Sequence, residues 1–381
     1  MIVVGAGPAG STAAFRLATE GARVVVLDRQ RFPRDKPCGG GVTARGARLL
    51  PFSIDPVVER VVDRINVTMG HHGPRRDVCA DVPLVYMTQR RRLDHYLIDQ
   101  AVGAGVDFRD GTRVRAIDGT SDGVRVRTDH GVITAAVLVG ADGANGVTRA
   151  ALGAPEPSFA VALEGNLPRG AAGFDDRRYE TAALLEFATV PGGYGWIFPK
   201  GDHTNFGVGG WLAEGPRLRA HLNELCAAHG VGPDELEHIR GHRLPIRRAG
   251  TPVATPRAVL VGDAAGLVDP FSGDGMYEAF LSSKIAAETI ADLLAGDVAD
   301  LSGYPDRLGA ALEPHMAGAW VAKLMIERSP AVMMGILHIP GMTRVVAERM
   351  GNVDSGHGPV TRRVARRVGR RARRALGSHA A

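Results

Sequence analysis

Ile2-Val3-Val4-Gly5-Ala6-Gly7-Pro8-Ala9-Gly10 opens on a β-branched run and passes straight into a turn with spaced glycines. Residues 11–20 then read as a helix, Gly21 closes it, and residues 23–27 give a second apolar run ending at Asp28. Strand, turn, helix and strand in this order are the setting that a GxGxxG needs before it implies a dinucleotide site. Gly5 permits the tight turn, Gly7 lets the backbone approach a pyrophosphate, and Gly10 allows helix and strand to pack closely. Pro8 and Ala9 complete the turn, and the helix N-terminus beyond them faces the anion. Asp28 stands 18 residues past Gly10, where a carboxylate can accept from a ribose hydroxyl, with Arg29 beside it. This segment alone leaves FAD and NAD both open, and a glycine-rich turn without a ligand is the bland alternative.

The rest of the composition sets bounds. A chain of 381 residues is long enough for a sizeable core and for more than one domain. Hydrophobic residues at 45% and charged residues at 23% are ordinary for a soluble globular protein. Cys38, Cys79 and Cys226 are odd in number and far apart, which argues against a disulfide framework or a CxxC metal site and fits a reducing cytoplasm. No metal ligands are assigned. The first residues lack the basic and glycine-free apolar stretches of a secretion signal. The apolar run 331–339 is too short to span a bilayer, which takes about 20 residues. The formal charge of +5 is local: eight arginines and no acid fall in 361–381, leaving 38 bases against 41 acids, or −3, in the body.

Two later segments narrow the ligand. Leu138-Val-Gly-Ala-Asp142-Gly143 is an apolar run ending in Asp-Gly. Val259-Leu-Val-Gly262-Asp263-Ala-Ala is another, ending in Gly-Asp, with a helix opening after Gly273-Asp274-Gly275. With these three motifs in order, the chain resembles the FAD-dependent family that contains aromatic hydroxylases, flavin halogenases and geranylgeranyl reductases. The resemblance implies FAD, with Asp263 on the ribityl chain and Gly275 and Met276 near the isoalloxazine. Val114 is grouped with the cofactor residues on the same basis.

Phe32-Pro-Arg-Asp-Lys36-Pro-Cys38-Gly39-Gly40-Gly41 and Tyr194-Gly-Trp196-Ile-Phe198-Pro199-Lys200 are similar to the PxxKxCGGG and YxWxFP patterns of geranylgeranyl reductases. The resemblance runs from residue 1 to about residue 300, and Arg90 matches a family arginine near FAD. It implies that the Cys-Gly-Gly loop lies beside the flavin and that the aromatic segment lines an apolar cavity for a prenyl chain. The implied reaction saturates C=C bonds of a polyprenyl chain, with NADPH or a ferredoxin as electron donor. Tyr194, Trp196, Phe198 and Phe206 are then the substrate-facing residues, and Cys38, Tyr194 and Trp196 the catalytic candidates. Aromatic walls offer large rigid apolar area to such a chain. Alternation also puts 194, 196 and 198 on one face of any strand, so a plain sheet core would give the same pattern. Hydroxylase and halogenase readings stay open, weakened by Gly266 where hydroxylases carry His, and by Tyr194 and Phe198 where halogenases have WxWxIP. A flavin electron carrier or redox-sensing protein would have no need of a deep apolar cavity.

The expected architecture is α/β: a Rossmann-like FAD-binding domain (1–65, 88–152 and 252–300) interleaved with a mostly antiparallel substrate sheet (66–87 and 153–251). A helical region (301–360) and an Arg-rich tail (361–381) follow. Projected at 100° per residue, all eight tail arginines fall in one half of a helix. That face suits an anionic membrane surface, so peripheral contact through 361–376 at the inner face of the membrane is expected. Nucleic acid is not, because no aromatic interleaving or recognition module accompanies the arginines.

Overall fold

The computed structural model describes residues 1–351 except 121, 233, 248 and 249. The β-branched opening forms the strand Ile2–Val4, the centre of a six-stranded sheet in the order 254–255, 258–260, 138–140, 2–4, 25–27, 107–109. Its strands pair in parallel except Ala254–Thr255, which runs antiparallel along the edge. Strands buried on both faces read as continuous apolar runs, which is why VVVL and VLVG carry no alternation. The helix Pro8–Thr19 starts at the glycine turn with proline in its first turn, where a missing N–H costs nothing. It packs against Met276–Ala295 on one side and Arg90–Gly103 on the other.

The second sheet has seven strands in the order 237–246, 158–168, 203–211, 194–199, 182–187, 64–69, 75–79. All neighbours are antiparallel except 182–187 against 64–69. Residues 85–87, grouped with this sheet in the sequence reading, instead form a small sheet with 41–43 and 60–62. The strand Gly41–Thr43 emerges from the Cys-Gly-Gly loop, and pairing with Val85–Met87 satisfies its backbone and anchors that loop. Tyr304–Arg328, Pro330–His338 and Met342–Gly351 are helices. The last two cover one end of the seven-stranded sheet, with Met334, Leu337 and Ala347 buried beside Val67, Met69 and Val78. The Arg-rich stretch 361–376 lies outside the described residues.

Candidate active site

A cavity of about 510 Å³ runs between the two sheets. One end is built on backbone. Gly5, at φ +101°, takes a conformation that an L side chain adopts only with strain, and a Cβ there would overlap the carbonyl of Ala141. The turn therefore closes tightly and turns the start of the following helix, with Gly7, Pro8 and Ala9, toward the cavity. Asp28 stays in place by accepting from the N–H of Ala6 (2.9 Å) and of Gln30 (2.9 Å), with Arg29 next to it on the same wall. Asp142 and Gly143 complete this end; Asp142 itself accepts from the N–H groups of Val147 and Thr148 and from the Thr148 hydroxyl, so it braces its loop.

The middle of the cavity is lined with charge. Asp263 faces Lys36 Nζ at 3.1 Å and His242 Nε2 at 3.9 Å. Burial alone would raise its pKa, but the Lys36 ammonium and His242 hold it well below the usual carboxylate range. Arg90 makes a bidentate pair with Asp94 (2.7 Å twice), and Arg34 adds a second cation at 2.8 Å. Burial works against both charges here, yet the pairing keeps Arg90 raised and Asp94 lowered.

The Cys38–Gly41 loop is held from three sides. Cys38 N–H donates to Glu164 (2.8 Å), and Thr88 N–H donates to the Gly40 carbonyl (2.8 Å). Lys200 Nζ donates to the carbonyls of Gly39 and Thr88. Burial pushes the Lys200 amine down to about 8 and raises the Glu164 carboxyl. Gly39 passes so close to the Phe198 ring that a Cβ would touch it at 3.0 Å.

Beyond this loop the wall turns apolar. Tyr194, Trp196 and Phe198 lie on one face of Tyr194–Pro199 with ring centroids 6.0 and 6.2 Å apart along the strand. Ile65, Leu185, Leu244 and Phe271 share the cavity with them. Trp196 donates its Nε1–H to Asn205 (2.8 Å), and Gly207 lies directly under its indole, where any Cβ would fall inside the ring. Tyr194 donates its hydroxyl to the carbonyl of Ser272, and burial raises its pKa, so it stays a neutral phenol. Gly273, Asp274, Gly275 and Met276 line the cavity next to Tyr194 and end in the N-terminus of Met276–Ala295.

A family model described as "FAD binding domain" matches residues 1–168. A menaquinone reductase of Mycolicibacterium smegmatis is 31% identical over 92% of this chain and 88% of its own. A geranylgeranyl diphosphate reductase of Rhodobacter capsulatus is 31% identical over 78% of this chain and 77% of its own. The chain belongs to the geranylgeranyl reductase family of FAD-dependent oxidoreductases. A crystal structure of a geranylgeranyl bacteriochlorophyll reductase-like protein from Thermoplasma acidophilum shares its fold, with a TM-score of 0.79 at 20% identity over 91% of this chain and 94% of that one.

For a member of this family the residues fit FAD. The backbone cradle at Gly5–Ala9 suits a pyrophosphate, the Asp28 carboxylate a ribose, and the half-buried, ionised Asp263 a polyol hydroxyl. Three expected residues lie elsewhere. Phe206 faces away: it opposes Ile197 across the sheet, not Trp196, and is buried with Phe174, Tyr179 and Leu222. Register decides this, because successive strand residues point to opposite faces. Val114 packs under the parallel sheet with Ile2, Val4 and Leu27. Gly262 is a packing residue behind the cavity wall, and Gly10 packs helix against turn as its place in the motif requires. A Cβ on Gly10 would overlap the Gly5 carbonyl, and one on Gly262 would meet the Ala9 methyl at 3.0 Å.

Several site residues had no place in the sequence reading. Gly207 and Gly209 do leave a trace, since glycines two apart inside a strand mark a close approach. Glu164 is the lone charged residue of the strand Ser158–Pro168. Asp269, which accepts from Phe271 N–H, Ser272 N–H and the Ser272 hydroxyl, sets the loop that carries Gly273. Its partner His315, at 3.2 Å, comes from a helix far along the chain, and no local pattern joins them. Asp269, Glu278 and His315 bring ligand-type atoms within 4.8 Å of one another, although Arg45 Nη2 lies 3.0 Å from His315 Nε2 and opposes a cation there.

Proposed function

We propose that this protein saturates one or more C=C bonds of a polyprenyl chain carried by an isoprenoid diphosphate, a lipid or a quinone. The observation that carries the reading is that one cavity is lined both by the glycine cradle with Asp263 and by Trp196, Phe198, Ile65, Leu185 and Phe271. Held at Gly5–Ala9, Asp28 and Asp263, reduced FAD would supply the hydride for one alkene carbon, with a proton from water completing the other. Around that chemistry the residues of this chain position and exclude. Tyr194, Trp196 and Phe198 present a rigid apolar face that desolvates the chain and fixes where along it the double bond sits. The Cys38–Gly41 loop, pinned by Lys200 and Glu164, brings backbone without side-chain bulk up to the aromatic wall. Tyr194 shapes that wall; its proton is committed to the Ser272 carbonyl.

NADPH or a ferredoxin is the proposed electron donor, and the setting is the cytoplasm at the inner face of the membrane. Names support the reading as well: the relatives above act, by those names, on a geranylgeranyl diphosphate and a menaquinone. The test is an anaerobic single-turnover assay of the dithionite-reduced holoprotein with geranylgeranyl diphosphate and with a menaquinone, products read by mass spectrometry. A gain of two mass units or a multiple is expected. Reduced flavin that persists with every prenyl compound, yet modifies an aromatic compound once oxygen is admitted, would replace this reading with a monooxygenase or halogenase.

A further inference from the structure

The helices Pro330–His338 and Met342–Gly351 meet at a bend of 94° and have two dissimilar faces. Inward, Met334, Leu337 and Ala347 belong to the apolar cluster that also takes in Tyr194, Phe198 and Phe271, and Met350 reaches the cavity wall. Outward, Val332 is 53% and Ile339 51% exposed, with Ala331, Gly335 and Pro340 exposed around them. No acid occurs between Glu327 and Glu348, while Arg328, His338 and Arg344 do. A cleft of about 550 Å³ flanks the bend, lined by Arg75, Arg76, His338 and Thr343, with Asp77 paired to Arg75 at 3.0 Å. The chain then runs on from Gly351 to the eight arginines of 362–374.

Length decides how such a corner can meet a bilayer. A helix of nine residues, as in Pro330–His338, is about 14 Å long, half of the ~30 Å hydrocarbon core. It can enter one leaflet and cannot cross. Apolar tip, basic cleft and arginine-rich continuation together match an anionic membrane surface, where apolar area and lipid phosphates are found at one depth.

We propose that this corner is the membrane-docking surface of the protein. Val332 and Ile339 enter the boundary between headgroups and acyl chains, and Arg76 in the flanking cleft meets lipid phosphate. The two helices then form the roof under which a membrane-dissolved chain reaches the aromatic wall. Docking stands apart from the chemistry; only this route rests on the polyprenyl reading.

The test uses the full-length, flavin-loaded protein in flotation with vesicles of phosphatidylcholine alone and of phosphatidylcholine with phosphatidylglycerol. Wild type floats with the anionic vesicles and less so as salt is raised. The double variant Val332→Glu/Ile339→Glu, with flavin content and circular dichroism unchanged, binds at least about tenfold more weakly. Equal binding by that variant, or no binding by wild type, overturns the proposal. A variant with glutamine at the eight arginines separates the sources: if it alone loses binding, the tail docks and the corner does not. If wild type instead forms a dimer that the two glutamates dissolve and ignores vesicles, the corner joins two copies of the chain. The route predicts that the glutamate variant loses turnover of vesicle-embedded substrate and keeps turnover of substrate in detergent. No turnover in either form would sink the reductase reading and leave the docking result standing.

Discussion

Lys36 Nζ sits 3.1 Å from Asp263 Oδ2, joining the loop before Cys38 to the end of the Val259–Val261 run across 227 residues of chain. The pair holds the half-buried Asp263 carboxylate ionised, which is the state that accepts hydrogen bonds from hydroxyls. Asp263→Ala should weaken FAD retention by about 10- to 100-fold, the range expected when a charged acceptor is lost. The flavin-to-protein absorbance ratio after gel filtration reads this directly. An Asp263→Ala protein that keeps full flavin content would take Asp263 out of the cofactor site.

Trp196 and Gly207 form a matched pair: the indole occupies the space that any side chain at 207 would need. Gly207→Ala should displace the indole, lower prenyl turnover by at least about tenfold and cost about 1–3 kcal/mol of stability through overpacking. In a Trp196→Ala background the same change should be close to neutral, since the clash is gone. A double-mutant cycle on thermal unfolding tests this, and additive effects would show that the two residues do not share the space.

The fold and the cofactor end were legible because they are written locally. A β-branched run, a glycine turn, a helix and Asp28 fall within 28 residues, and short-range geometry assigns each a place. Tyr194, Trp196 and Phe198 were legible as one face because strand alternation is local too. Phe206 was not, because its face depends on register with a neighbouring strand, and a one-residue difference in pairing inverts it. The clamp on the Cys38 loop was hidden for a related reason. Glu164 reaches it from a strand of the other sheet and Lys200 from just past the end of another, across 126 and 161 residues of chain.

Lys200 is a buried amine whose pKa falls to about 8 because burial disfavours its charge. The unfolded chain, at the ordinary lysine value, binds more protons than the folded one between pH 8 and about 10.4. Stability therefore rises with pH through that window as far as this group is concerned. Lys200→Met removes the dependence and leaves the Gly39 and Thr88 carbonyls without this donor. The stability difference, wild type minus variant, should grow with pH between about 8 and 10. Parallel curves in that range would show that the amine is solvated and the loop is held by other bonds.

Glu278 gives the opposite sign. It is fully buried beside Asp269, Asp274 and His315, and desolvation first, with the neighbouring acids second, pushes its carboxyl up to about 8. His315 at 3.5 Å pulls it back only in part. The folded protein thus binds a proton that the unfolded chain releases near pH 4.3. The resulting stabilisation is complete below that pH and is lost as pH rises through about 8. Glu278→Gln keeps the shape and the neutral state, so it should lie close to wild type near pH 5 and exceed it at pH 8.5 by about 4 kcal/mol. Thermal unfolding at the two pH values measures the gap. If the variant is less stable at both, Glu278 is ionised in the folded protein and pairs with His315, and the loop from Asp269 to Gly275 owes its position to that pair.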